Sequence, residues 1–144
     1  NRFFIYGGYF VQNKAVLTNS KKILVVDDEP DVLCVLKSYL EQKKCFHICL
    51  ACDGEEALRK IEEETPDLII LDLGIPKLPG TEVCKKVKMN ERLKNIPIIV
   101  LTGKAEEVDK VICKVIGANF YMTKPLNLHE LLETVNKILG LENT

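Results

Sequence analysis

From Lys22 onward the chain alternates between two hydrophobic periods. KILVVD, HICLA, DLIIL, PIIVL and NFYM are short runs rich in β-branched and aromatic residues. The third and fourth are nearly all apolar, as strands of a parallel sheet covered on both faces must be. Between them PDVLCVLKSYLEQKK (30–44), GEEALRKIEEE (54–64), GTEVCKKVKM (80–89), AEEVDKVICKVI (105–116) and LHELLETVNKIL (128–139) repeat apolar residues at spacings of three and four, which predicts five helices with one apolar face each. Asp53 precedes Glu56 by three residues and Asn127 precedes Glu130 by three, two capping-box patterns; Gly117 and Gly140 fall where helices should stop. Five β-then-α units predict an α/β fold, an open parallel sheet with right-handed crossovers and helices on both faces.

Residues 1–20, NRFFIYGGYFVQNKAVLTNS, stand outside this rhythm. They hold five of the nine Phe and Tyr residues within their first ten positions, and FFIY-GG-YFVQ has the glycine turn of a β-hairpin. A marginal hairpin and a remnant of cloning or upstream sequence are both open readings, and no function is assigned to it. The expected domain is residues 21–142.

Composition narrows the partners. A 144-residue chain with 47% hydrophobic residues can bury one core, and a net charge of −1 supplies no field for nucleic acid or an anionic membrane. No apolar run approaches the roughly 18 residues of a membrane span, so a cytoplasmic location is expected. The six cysteines, at 34, 45, 49, 52, 84 and 113, lie in apolar stretches and read as reduced buried thiols rather than a secreted disulfide framework. In CFHICLAC a strand would put Cys45, His47 and Cys49 on one face and Cys52 on the other, a poor zinc set.

Ligand sites in open α/β sheets lie beyond the carboxyl ends of the strands, so the polar residues after each apolar run carry the candidate chemistry. The first strand, ILVVDDEP, ends in Asp27, Asp28 and Glu29; the third ends in Asp72, the fourth in Thr102, and the fifth leads to Lys124 and Pro125. Two carboxylates about 5 Å apart repel by roughly 3 kcal/mol at an effective dielectric near 20, so converging acids call for a cation. An all-oxygen set suits magnesium or manganese. A lysine and a hydroxyl beside it fit a metal-bound phosphoryl group, and Asp72 has the chemistry of an acceptor carboxylate. Taken singly, each of these residues could be a cap, a turn former or a solvated charge; Glu29 before Pro30 could simply favour a helix start.

The set VVDDE, LDLGIPKLPG, VLTG and TKP, in this order and spacing, resembles the receiver domain of two-component response regulators over about residues 21–140. The resemblance implies a flavodoxin-like (βα)5 fold with strand order 2-1-3-4-5. It implies Asp72 as the phosphorylated aspartate, with Mg2+ held by Asp28 directly, by Asp27 largely through water, by Asp72 and by the Gly74 carbonyl; Mn2+ could substitute. Lys124 would pair with Asp72 and then with the phosphoryl group, and its bond to Pro125 would be cis. Thr102 and Tyr121 match the switch pair, while Gly74 and Lys104 occupy positions that tune phosphoryl lifetime. The implied partners are a sensor histidine kinase or phosphotransfer protein, and an effector reached through the fourth helix, fifth strand and fifth helix. Phosphorylation-dependent homodimerisation is another implied possibility. Direct nucleic-acid binding by this chain is not implied, and the domain would be a self-catalysing switch rather than a turnover enzyme.

Three alternatives remain at this point. A receiver-like docking scaffold would not need the acidic set. A flavodoxin-like cofactor binder would want a phosphate cradle after the first strand, where DDEP instead repels anions. An aspartate-nucleophile phosphatase would carry its nucleophile after the first strand.

Overall fold

The computed structural model describes residues 20–103 and 107–141. The proposed aromatic hairpin and Lys104 lie outside the described residues. Five strands, β1 (Lys21–Val26), β2 (Phe46–Ala51), β3 (Leu68–Asp72), β4 (Ile98–Thr102) and β5 (Phe120–Thr123), alternate with five helices, α1 (Pro30–Leu40), α2 (Gly54–Glu64), α3 (Gly80–Lys88), α4 (Glu107–Ile116) and α5 (Leu128–Leu139). All strand pairings are parallel and the sheet order is β2-β1-β3-β4-β5. This is the expected flavodoxin-like arrangement.

Period-two alternation splits the core into two layers. Leu24, Val26, Ile69, Leu71, Ile98 and Val100 face one side, where Ala57, Ile61, Val83, Val87 and Cys113 bring in α2, α3 and α4. Ile23, Val25, Leu68, Ile70, Ile99 and Leu101 face the other, covered by Leu33, Leu36 and Leu40 of α1 and Leu131 and Val135 of α5. Every residue of β3 and β4 is buried, which is why those runs carry no polar position before their last.

Helix ends follow local chemistry. Asp53 Oδ1 accepts from the Glu56 amide at 2.8 Å, while Glu56 Oε1 accepts from the Cys52 amide at 2.7 Å. Asn127 Oδ1 likewise accepts from the Glu130 amide at 3.0 Å. Gly140 closes α5 at φ 71, in the left-handed region that glycine enters without steric cost. The first helix is shorter than its hydrophobic spacing suggests: it stops at Leu40, because the Gln42 and Lys43 amides turn back to the Tyr39 and Leu40 carbonyls.

The cysteine-rich segment also departs from strict alternation. β2 begins only at Phe46, so Cys45 precedes the pleat and packs against the α1/α5 layer, whereas Cys49 packs against the opposite layer. Cys45, His47 and Cys49 therefore do not share one face. Among the described residues no helix is long and apolar enough to cross a membrane.

Candidate functional site

Parallel register assembles the site. Val26 of β1 pairs with Leu71 of β3, so the next residues, Asp27 and Asp72, emerge side by side where strands are about 4.8 Å apart. Asp72 sits opposite Leu101, and Thr102 opposite Thr123, which carries Thr102 and Lys124 to the same edge. This edge includes the point where strand order reverses between β1 and β3, the crevice in which such sheets bind ligands.

The acids differ in environment. Asp27 is fully buried and Asp72 and Thr102 nearly so, while Asp28 and Glu29 face solvent. One oxygen each from Asp27, Asp28 and Asp72 lies within 4.8 Å of the other two. The Lys124 ammonium reaches Asp27 Oδ2 at 2.7 Å and Asp72 Oδ2 at 3.1 Å, and lies 3.7 Å from Glu29 Oε1. Burial by itself would lower the Lys124 pKa, but the hydrogen bonds to Asp27 and Asp72 and their negative charge outweigh it and hold the ammonium above the ordinary lysine value. Asp27 Oδ1 accepts from the Glu29 amide at 2.9 Å, and Asp72 Oδ1 from the Gly74 amide at 3.0 Å. Each buried carboxylate thus has one oxygen tied to its own loop and the other turned to the lysine.

The donor set fits a hard divalent ion. Three carboxylates with a solvent-facing member offer oxygen ligands and room for water, the coordination magnesium and manganese favour. A second group, Cys52, Asp53 and Glu56, has its carboxylates engaged in the α2 cap described above.

Backbone contacts hold this edge in place. The Lys124–Pro125 peptide is cis, and the Lys124 amide donates to the Thr102 carbonyl at 2.8 Å. The segment after Asp72 is clamped from two sides. The Gly54 amide donates to the Pro76 carbonyl at 3.1 Å, and a Cβ on Gly54 would overlap the Leu78 carbonyl. A Cβ on Gly80 would lie 2.7 Å from Leu73 Cα and 2.9 Å from the Asp72 carbonyl. Lys77, at φ 69, lies 3.4 Å from Asp53. Sequence reasoning missed Gly54 and Gly80 as close-approach positions; their placement after Asp53 and Pro79 marks helix starts, but no local pattern says what backbone approaches them. Around Gly74 there is space, with Asp72 Oδ1 3.8 Å from where a Cβ would be. Tyr121 stands at the outer edge of β5, 36% exposed beside Phe120.

Comparisons with known proteins point the same way. The response regulator receiver domain profile matches residues 23–136. The chain is 48% identical over 120 residues to the alkaline phosphatase synthesis transcriptional regulatory protein PhoP of Bacillus subtilis, an alignment covering 83% of this chain and 49% of that protein. It therefore spans about half the length of that relative. Among solved structures, a putative response regulator from Chloroflexus aurantiacus superposes with a TM-score of 0.79 at 33% identity, covering 84% of this chain and 98% of that one. The receiver domain of a Pseudomonas aeruginosa sensor histidine kinase, with a magnesium ion coordinated in its active site cleft, superposes with a TM-score of 0.77 at 30% identity, covering 84% and 98%.

Proposed function

This chain belongs to the response regulator receiver domain family, and from that premise we propose that Asp72 is its phosphoacceptor and that the acids around it form a divalent-cation site. The observation that carries the reading is the buried Asp72 carboxylate at the tip of β3, with Lys124 Nζ 3.1 Å away and Asp27 and Asp28 close enough to share one ion with it. A receiver domain implies a histidine kinase or phosphotransfer protein upstream and an effector downstream.

In the proposed transfer an Asp72 oxygen forms a bond to the phosphorus of a phosphohistidine, and the P–N bond breaks with its electron pair passing to the imidazole nitrogen. Asp28, Asp27, Asp72 and the Gly74 carbonyl would hold Mg2+, or Mn2+ in its place, and that ion supplies positive charge to the phosphoryl oxygens. Asp28 would bind it directly and Asp27 largely through water. Lys124 gives up its share of Asp72 and donates to the phosphoryl group. The Thr102 hydroxyl donates from the opposite side.

Thr102 then draws toward the phosphoryl group and Tyr121 turns inward, which shifts the population between two packings of the surface made by α4, β5 and α5. The exposed apolar residues Val111 and Val115 of α4 and Phe120 and Tyr121 of β5 make that surface fit for an effector or, after phosphorylation, a second copy. Gly74 brings no side chain to orient water near Asp72, and Lys104 would pair with the phosphoryl group, so autodephosphorylation is slow to intermediate. The chain acts in the cytoplasm, without direct contact to nucleic acid; residues 21–142 are the receiver domain and residues 1–20 an N-terminal extension.

The test is incubation with Mg2+ and acetyl phosphate, followed by intact mass. The wild type should gain one phosphoryl group that base releases. No gain in the wild type, or equal gain in Asp72→Asn, overturns the assignment.

A further inference from the structure

Lys124 and a divalent cation compete for the same two carboxylates. The ammonium spends its two short contacts on Asp27 Oδ2 and Asp72 Oδ2, at 2.7 and 3.1 Å, and both residues belong to the trio that brings an oxygen each within 4.8 Å of one another. Any cation held there takes negative charge from Lys124 and repels it at short range. The ammonium is then displaced, and a partly buried charge gains by meeting another carboxylate. Among the described residues, the carboxylate within 4 Å of the ammonium but outside the trio is Glu29, at 3.7 Å, beyond hydrogen-bond distance and 65% exposed along its side chain. Its backbone amide is tied to Asp27 Oδ1 at 2.9 Å, so Glu29 keeps its station while Asp27 is in place. The α1 cap does not occupy it, because the Glu29 side chain makes no capping hydrogen bond.

We propose that Glu29 is a positioning residue for Lys124: it receives the ammonium when Asp27 and Asp72 turn to a divalent cation, and so lets the cation and the lysine occupy the site together. This rests on the cation-dependent phosphoacceptor reading above. In the cation-free protein Glu29 makes only a long, exposed contact and contributes little. Its effect emerges on cation binding, as a lower cost of displacing Lys124.

The experiment is Mg2+ titration by calorimetry of the wild type, Glu29→Gln, Lys124→Gln and the double variant, at about 0.3 M salt so that fields beyond a Debye length are screened. Glu29→Gln should weaken Mg2+ binding by about threefold, the scale of one exposed ion pair, and Glu29→Asp should recover part of the loss. Lys124→Gln should bind Mg2+ more tightly than the wild type, and adding Glu29→Gln to it should change the affinity by less than about 1.5-fold. An equal threefold loss in both backgrounds means that Glu29 acts on the cation directly and overturns the proposal, as does wild-type affinity in Glu29→Gln. If Lys124→Gln does not fold, the Lys124 13Cε resonance replaces it. A Mg2+-induced shift that differs between the wild type and Glu29→Gln supports the proposal, and identical shifts overturn it. A wild type that binds no Mg2+ overturns the cation site itself, and this proposal with it.

Discussion

Replacing Asp28 by Asn should stabilise the cation-free protein and abolish its response to magnesium, two effects of opposite sign from one atom change. Asp28 contributes an oxygen within 4.8 Å of oxygens on Asp27 and Asp72. Each such pair repels by about 3–4 kcal/mol at an effective dielectric near 20. Because Asp28 faces solvent, screening cuts the total relief to about 1 kcal/mol. Among the described residues the Lys124 ammonium lies within 4 Å of Asp27, Glu29 and Asp72 but not of Asp28, so the substitution leaves no buried charge unpaired. For a domain of this size about 1 kcal/mol raises Tm by roughly 3–6 °C. With Mg2+ at about ten times its Kd the wild type gains about 1.4 kcal/mol from linkage, which the variant forfeits. Thermal melts by circular dichroism, in EDTA and in Mg2+, should show Asp28→Asn above the wild type in the first and level with or below it in the second. A variant that melts lower in EDTA, or keeps the magnesium increment, refutes the reasoning. Asp27→Asn makes the contrast, because it takes charge from a fully buried group 2.7 Å from Lys124 and should forfeit less of the magnesium increment than Asp28→Asn.

Further predictions follow from the same geometry. Gly80→Ala forces a Cβ against Leu73 Cα and the Asp72 carbonyl, and should cost about 1–3 kcal/mol in urea unfolding as overpacked sites do. Burial pushes the Cys84 thiol up to about 12, so at pH 8 iodoacetamide should label exposed Cys34 in the folded protein while Cys84 and buried Cys113 react only on unfolding. Rising pH should leave Cys84 protected until the fold itself is lost. A Gly74→Asn variant brings a side chain capable of orienting water beside Asp72, and its phosphoryl half-life should be shorter than that of the wild type; an unchanged half-life counts against Gly74 as a lifetime-tuning position.

Much of this protein is decided by local sequence. DLIIL and PIIVL are nearly all apolar, as central parallel strands are, and a polar residue at the end of each is available to the sheet's ligand edge whatever packs around it. Asp53 and Asn127 set helix starts through amides three residues away, a contact that needs no tertiary partner. What residue type and periodicity left undetermined, and only the family resemblance divided, is the labour at that edge. Asp27, Asp28 and Glu29 are consecutive acids with the same charge, yet the fold buries the first against Lys124, 97 residues away in sequence, and turns the second to solvent within reach of Asp72. It leaves the third at the margin of the lysine's reach. Likewise Gly54 and Gly80 read only as the first residues of helices until the backbone of Leu78 and Leu73 arrives against them. Burial and close approach are properties of what comes from elsewhere in the chain, so periodicity could place these residues at the site but only packing gives them different surroundings.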